Sequence, residues 1–142
     1  MNRKLVTLLA SSLAAALLLV SGAIPVSAHH SFSAEFDGSK DKQLVLAGRV
    51  AKMEWVNPHA WLYIDVDRNG KTERWAVEFG SPNVLFRNGW KKDSLPEGMR
   101  VIVQASPAKD GSLRANSRGV EFPDGRKLDT GSSAGKDGKD AK

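Results

Sequence analysis

The chain contains no cysteine, which excludes a disulfide framework, a cysteine nucleophile and lipid attachment through an N-terminal Cys. Catalytic signatures are missing as well. There is no Gly-x-Ser-x-Gly, no phosphate-cradling glycine loop and no His-Glu-x-x-His, and no motif places a pair of carboxylates for acid/base work. Charge of one sign is nowhere concentrated. The 21 basic and 16 acidic residues are interspersed, as in Lys91-Lys92-Asp93 and Lys109-Asp110, so the clustered basic stripe of a nucleic-acid binder is absent. No nucleic-acid partner is expected.

Long apolar runs are also scarce, and the one present lies at the start. Arg3 and Lys4 precede an uncharged run from Leu5 to Val20, Gly22 and Pro25 break it, and Val26-Ser27-Ala28 ends it with small residues. That order is a secretory signal peptide, residues 1–28, cleaved after Ala28. The run falls short of the ~20 residues that span a bilayer, so no membrane span is expected after cleavage. A secreted, periplasmic chain from His29 onward follows, long enough for one modest core. From Gly131 to Lys142 no branched apolar or aromatic residue occurs, and a disordered tail is expected there. The domain is therefore placed at 29–130 and the tail at 131–142.

What the middle of the chain has is period-two alternation. Leu44, Leu46, Gly48 and Val50 share one phase, and Met53 and Trp55 take the other, as a β-bulge in a long bent strand would produce. Asn57-Pro58 stops this first strand. The second strand, Ala60 to Asp67, and the third, Thr72 to Phe79, flank Asn69-Gly70, the preferred pair of a type I′ hairpin. That turn pairs Arg68 with Lys71, and hence Ile64 with Trp75, Leu62 with Val77 and Ala60 with Phe79 on an apolar face. Asp65 and Arg74, Tyr63 and Ala76, and Trp61 and Glu78 pair on the other. Ser81, Pro82 and Asn88-Gly89 frame a short helix with Val84, Leu85 and Phe86 as its apolar residues. A fourth strand, Met99 to Ala105, and a fifth, Leu113 to Phe122, turn at Asp110-Gly111, and Pro123-Asp124-Gly125 turns the chain again. Alternation of Phe32, Ala34 and Phe36 with Ser31, Ser33 and Glu35 suggests a docked N-terminal strand. The element order predicts an all-β fold with one short helix, a small OB-like five-stranded Greek-key barrel, ahead of a two-sheet sandwich.

The histidines carry the sharpest chemistry. Cleavage after Ala28 would make His29 the first residue, so its free α-amine and Nδ1 could chelate one metal ion. A further imidazole, from His59 or from His30, would complete an all-nitrogen arrangement that suits copper(II) better than zinc. Asp65-Val66-Asp67-Arg68-Asn69-Gly70 opens like a calcium loop, but its twelfth position is Ala76 and its flanks are strands, so the hairpin explains it. A different reading uses the outer hairpin face. Trp61 and Tyr63, with Arg74 and Glu78 opposite, could bind a glycan or an extended peptide, unless the N-terminal strand or the segment after the fifth strand covers them.

Ala28-His29-His30-Ser31-Phe32, Trp55-x-Asn57-Pro58-His59-Ala60-Trp61, Gly80-Ser81-Pro82-Asn83, Gly89-Trp90 and Asp124-Gly125-Arg126 together resemble a family of small exported bacterial proteins known by a domain-of-unknown-function label. The resemblance implies a periplasmic protein of about this size and transfers no activity, ligand or catalytic residue. The residues favour a periplasmic copper-binding carrier or sensor, and leave its partner open between a periplasmic metalloprotein and a glycan. The alternatives are a glycan- or peptide-binding module and a redox enzyme built on the same histidine-brace copper site; an enzyme is the less favoured class, since nothing marks a substrate channel.

Overall fold

The computed structural model describes residues 32–132, and its architecture grows from the hairpin. Strands β2 (Trp61–Arg68) and β3 (Lys71–Glu78) meet in the register that Asn69-Gly70 dictates, with Ile64 opposite Trp75 and Leu62 opposite Val77. Both turn residues hold positive φ, 51° at Asn69 and 76° at Gly70, as a type I′ turn requires. The apolar face is buried, and Phe79 extends it by donating its N–H to the Ala60 carbonyl at 2.9 Å.

Strand β1 (Leu44–Glu54) bends as its phase change implies, with the register slipping between Val50 and Lys52. Its first half pairs with β4 (Arg100–Pro107) and its second half with β2, so one strand serves both sides. Gly48 lies so close to the Asp65 backbone that a Cβ there would overlap it. Strand β5 (Arg114–Glu121) pairs antiparallel with β4 and parallel with β3, aligning Ala76 with Arg114 and Glu78 with Asn116. That parallel seam closes the order β3-β2-β1-β4-β5 upon itself, the connectivity of an OB-like barrel. Closure leaves no open edge among these five strands.

The short helix forms where its boundary residues place it. After a single turn at the N-terminus (α1, Phe32–Glu35), helix α2 (Pro82–Arg87) runs from Ser81 to Asn88, and Gly89 at φ 88° ends it. Ser81 occupies the cap position without a side-chain hydrogen bond, while Pro82 gives up a donor that the first turn would leave unpaired. Leu85 and Trp90 join the barrel core, Trp90 packing edgewise on Phe79 with ring centroids 5.5 Å apart.

Three features differ from the sequence expectation. The N-terminal segment is not a strand: Phe32–Glu35 form one helical turn, and Phe36 alone makes a β-bridge, to Ala108. Phe32 and Phe36 are four apart and stack at 5.9 Å, the helical spacing that overrides the five-residue alternation. A two-residue strand β6 (Lys127–Leu128) adds to β5 beyond the Pro123-Asp124-Gly125 turn, too short to show a period. The packed chain also continues through Ser132, two residues past the expected domain end. Thr130 and Ser132 are buried, both hydroxyls donating to the Ser117 carbonyl. Trp90 donates Nε1–H to the Asp129 carbonyl at 2.8 Å, and Gly80 donates its N–H to that of Thr130. Polar groups meeting backbone partners hold this segment, which an apolar-residue criterion misses. Residues 1–31, on which the expected signal peptide falls, and 133–142, the rest of the expected tail, lie outside the described residues.

Candidate functional site

The segment from Trp55 to Ala60 leaves β1 and delivers His59 to the end of the hairpin. There the imidazole Nδ1 lies 2.7 Å from the Glu78 Oε1. Glu78 is the last residue of β3 and opposes Trp61, so the register that segregates the core also sets this carboxylate beside His59. The Glu78 side chain is 11% exposed and the His59 side chain 45%. A neutral imidazole that donates from Nδ1 keeps its lone pair on Nε2, on the opposite side of the ring. The carboxylate therefore favours the Nδ1–H tautomer and holds the ring, leaving Nε2 as the nitrogen able to bind an electrophile.

The rest of the outer face divides into separate clusters. Toward the turn, Arg74 grips Asp65 through two hydrogen bonds of 2.8 and 2.9 Å, and this guanidinium holds the Asp65 carboxyl below its ordinary range. Tyr63 donates its hydroxyl to Glu54 at 3.3 Å. Burial first, and then the Glu54 charge, push the phenol above its usual value, while Lys52 bonds Glu54 and holds that carboxyl low. Arg74 and Tyr63 are thus engaged away from His59. Of the residues proposed for an aromatic ligand face, the structure brings Trp61 and Glu78 together with His59, and places Tyr63 and Arg74 in neighbouring clusters.

Sequence reasoning misses two participants. Arg114 on β5 lies across the β3–β5 seam, with its guanidinium carbon 5.6 Å from the Trp61 ring centroid and 5.9 Å from that of Phe36. Its Nη2 stands 3.3 Å from the Glu35 carboxylate. Asn116, also on β5, aligns with Glu78 and is buried. The parallel seam that assembles these residues joins strands far apart in sequence, and no local pattern announces it. The N-terminal segment packs on the β4–β5 side of the barrel, by a helical turn where a strand was expected, and Arg114 links its Phe36 to Trp61 of the hairpin. His29 and His30 lie outside the described residues. Among the described residues, no group of three His, Cys, Asp or Glu side chains could hold a metal ion, so an ion at His59 would need donors from elsewhere in the chain.

The fold and this face define a small OB-like barrel protein with a loop histidine held against a strand-end carboxylate. Within that class the chain belongs to the family of unknown function DUF6152, whose model matches residues 15–117. The matched span contains His59, Glu78, Trp61 and Arg114. No curated protein and no solved structure matches the chain. Among the described residues, no helix is long and apolar enough to cross a membrane.

Proposed function

We propose that this protein is an exported, periplasmic copper-binding carrier or sensor, whose ligands are the His29 α-amine and Nδ1 together with His59, with His30 as a further candidate. The observation that carries the reading is the Glu78–His59 contact of 2.7 Å. Metal-binding histidines characteristically donate the other ring N–H to a carboxylate, which orients the ring and raises the basicity of the ligating nitrogen. His59 has that support and presents Nε2 to a partly open face.

The position of the N-terminal segment supplies the second support. Phe36 and Trp61 share the Arg114 guanidinium, and Trp61 opposes Glu78. Three residues of extended chain before Phe32 span at most about 10 Å, a short tether for a chelating terminus. The glycan reading is weaker, because Arg114 lies over the Trp61 ring and Tyr63 is bonded to Glu54. For a redox enzyme on the same site, the carboxylate next to His59 is Glu78, which already holds that imidazole.

The test uses the α-amine as its probe. Protein beginning at His29 is compared with the same protein carrying Gly-Ser ahead of it, both retaining every imidazole. Competition titration should show copper(II) affinity falling by about a hundredfold in the extended form, the scale of losing one element of metal support. Equal affinities would remove the terminal chelate and the proposed function with it.

A further inference from the structure

Basic and acidic residues are interspersed along the chain, but strand pairing redistributes them on one face of the barrel. The outward residues of β1 before its bulge are Val45, Ala47 and Arg49, and those of β4 are Arg100, Ile102 and Gln104. The register sets Val45 opposite Gln104, Ala47 opposite Ile102 and Arg49 opposite Arg100. Directly opposed like charges disfavour a sheet, and among the described residues neither arginine makes an ion pair. The flanking carboxylates are already held. Asp65, opposite Arg49 on β2, is gripped by Arg74, and Glu121, opposite Ile102 on β5, lies 3.2 Å from Lys127 Nζ. Two cations are therefore in excess beside Val45 and Ile102, which are 63% and 38% exposed. Apolar side chains exposed singly need no partner. Here two stand on adjacent strands, with exposed Ala47 beside both and the two arginines at one end.

We infer that this face of β1 and β4 is a docking surface for an anionic phospholipid bilayer, with Arg49 and Arg100 on headgroup phosphates and Val45 and Ile102 against the acyl boundary. Opposed residues stand about 5 Å apart at Cβ, so two guanidinium forks can meet at one phosphate, a group that arginine recognises bidentately. Charge alone would suit any acidic partner. The aliphatic rungs beside it select an interface that is negative at its surface and apolar just beneath. A protein hot spot is centred instead on aromatic anchors, and none of these six residues is aromatic. The contact is peripheral and involves neither His59 nor the N-terminal segment.

The test is vesicle cosedimentation with protein beginning at His29, which lacks the apolar run of residues 5–20. Binding at about 0.1 M salt should be stronger to mixed phosphatidylglycerol and phosphatidylcholine vesicles than to phosphatidylcholine alone. It should fall steeply at about 1 M salt, where the screening length shrinks to about 3 Å. Arg49→Gln and Arg100→Gln should each weaken binding to the anionic vesicles about fivefold, the share of one basic residue near a charged surface. Val45→Ser should weaken it about threefold, for one shallowly buried apolar side chain. Lys71→Gln, which removes the same charge from the far end of the hairpin, should leave binding near the native value. Both arginine variants relieve a like-charge repulsion, so their thermal midpoints should match or exceed the native one, which separates a lost surface from a lost fold. Equal binding to the two kinds of vesicle, or an equal loss in Lys71→Gln, overturns the inference. Displacement by inorganic phosphate beyond that by chloride of matched ionic strength makes the arginine pair a small-anion site. Retention on a polyglutamate resin without vesicle binding makes the face one for an acidic protein. Either result overturns the lipid surface.

Discussion

His59 and Glu78 occupy very different positions, one on a partly open loop and the other at a buried strand end, yet their side chains meet at 2.7 Å. In the proposed site the buried partner would set the direction and the exposed one would hold the ion. Glu78→Ala should therefore weaken copper(II) by about 10–100-fold without disturbing the core, whose residues lie on the opposite face of β3. Competition titration beside a thermal melt checks this, and a stability loss with unaltered affinity would make the contact merely structural. The candidate residues were legible in sequence as types and parities: Trp61, Glu78 and His59 stand on or beside the hairpin in the predicted phase. Arg114 was not, because its neighbours come from a strand pairing with no local signature. Tyr63 and Arg74 were placed on the right face, but nearer charged partners, Glu54 and Asp65, hold them away from His59.

The elements show why some patterns translate directly and others mislead. The hairpin is specified twice over, by its turn and by its apolar parity; six of the seven predicted pairs stand in its ladder, and Phe79 donates its N–H to Ala60 just beyond the strand ends. The bulge in β1 is equally legible, because an odd residue must change the phase. The N-terminal segment illustrates the opposite case. Phe32 and Phe36 satisfy period two and a spacing of four alike, and a helical turn lets them stack on one another. The turn itself gives a stability test. A Cβ added at Gly70 would meet nothing within 4 Å, so the cost of Gly70→Val comes chiefly from holding a β-branched residue at φ 76°. Loss on the order of 1–3 kcal/mol is expected from chemical denaturation. An unchanged midpoint would contradict the type I′ assignment.

At the scale of the molecule, the order of elements was enough to predict the barrel, since few arrangements of strand, hairpin, short helix and hairpin close without an edge. The C-terminal boundary was less visible. Asp129 to Ser132 are held by hydrogen bonds from Trp90 and Gly80 and to Ser117, which composition cannot report. Closure also joins β3 to β5, and that seam sets Arg114 between Trp61 and Phe36 of the N-terminal segment. Copper coordination that draws on both ends of this arrangement, the terminal His29 and the loop His59, is the central claim. Pulsed electron paramagnetic resonance on copper(II)-loaded protein beginning at His29 tests it most directly. The native spectrum should carry imidazole nitrogen couplings from His29 and His59, and His59→Ala should lose one set while its affinity falls. Identical spectra and equal affinities in the two proteins would contradict the site.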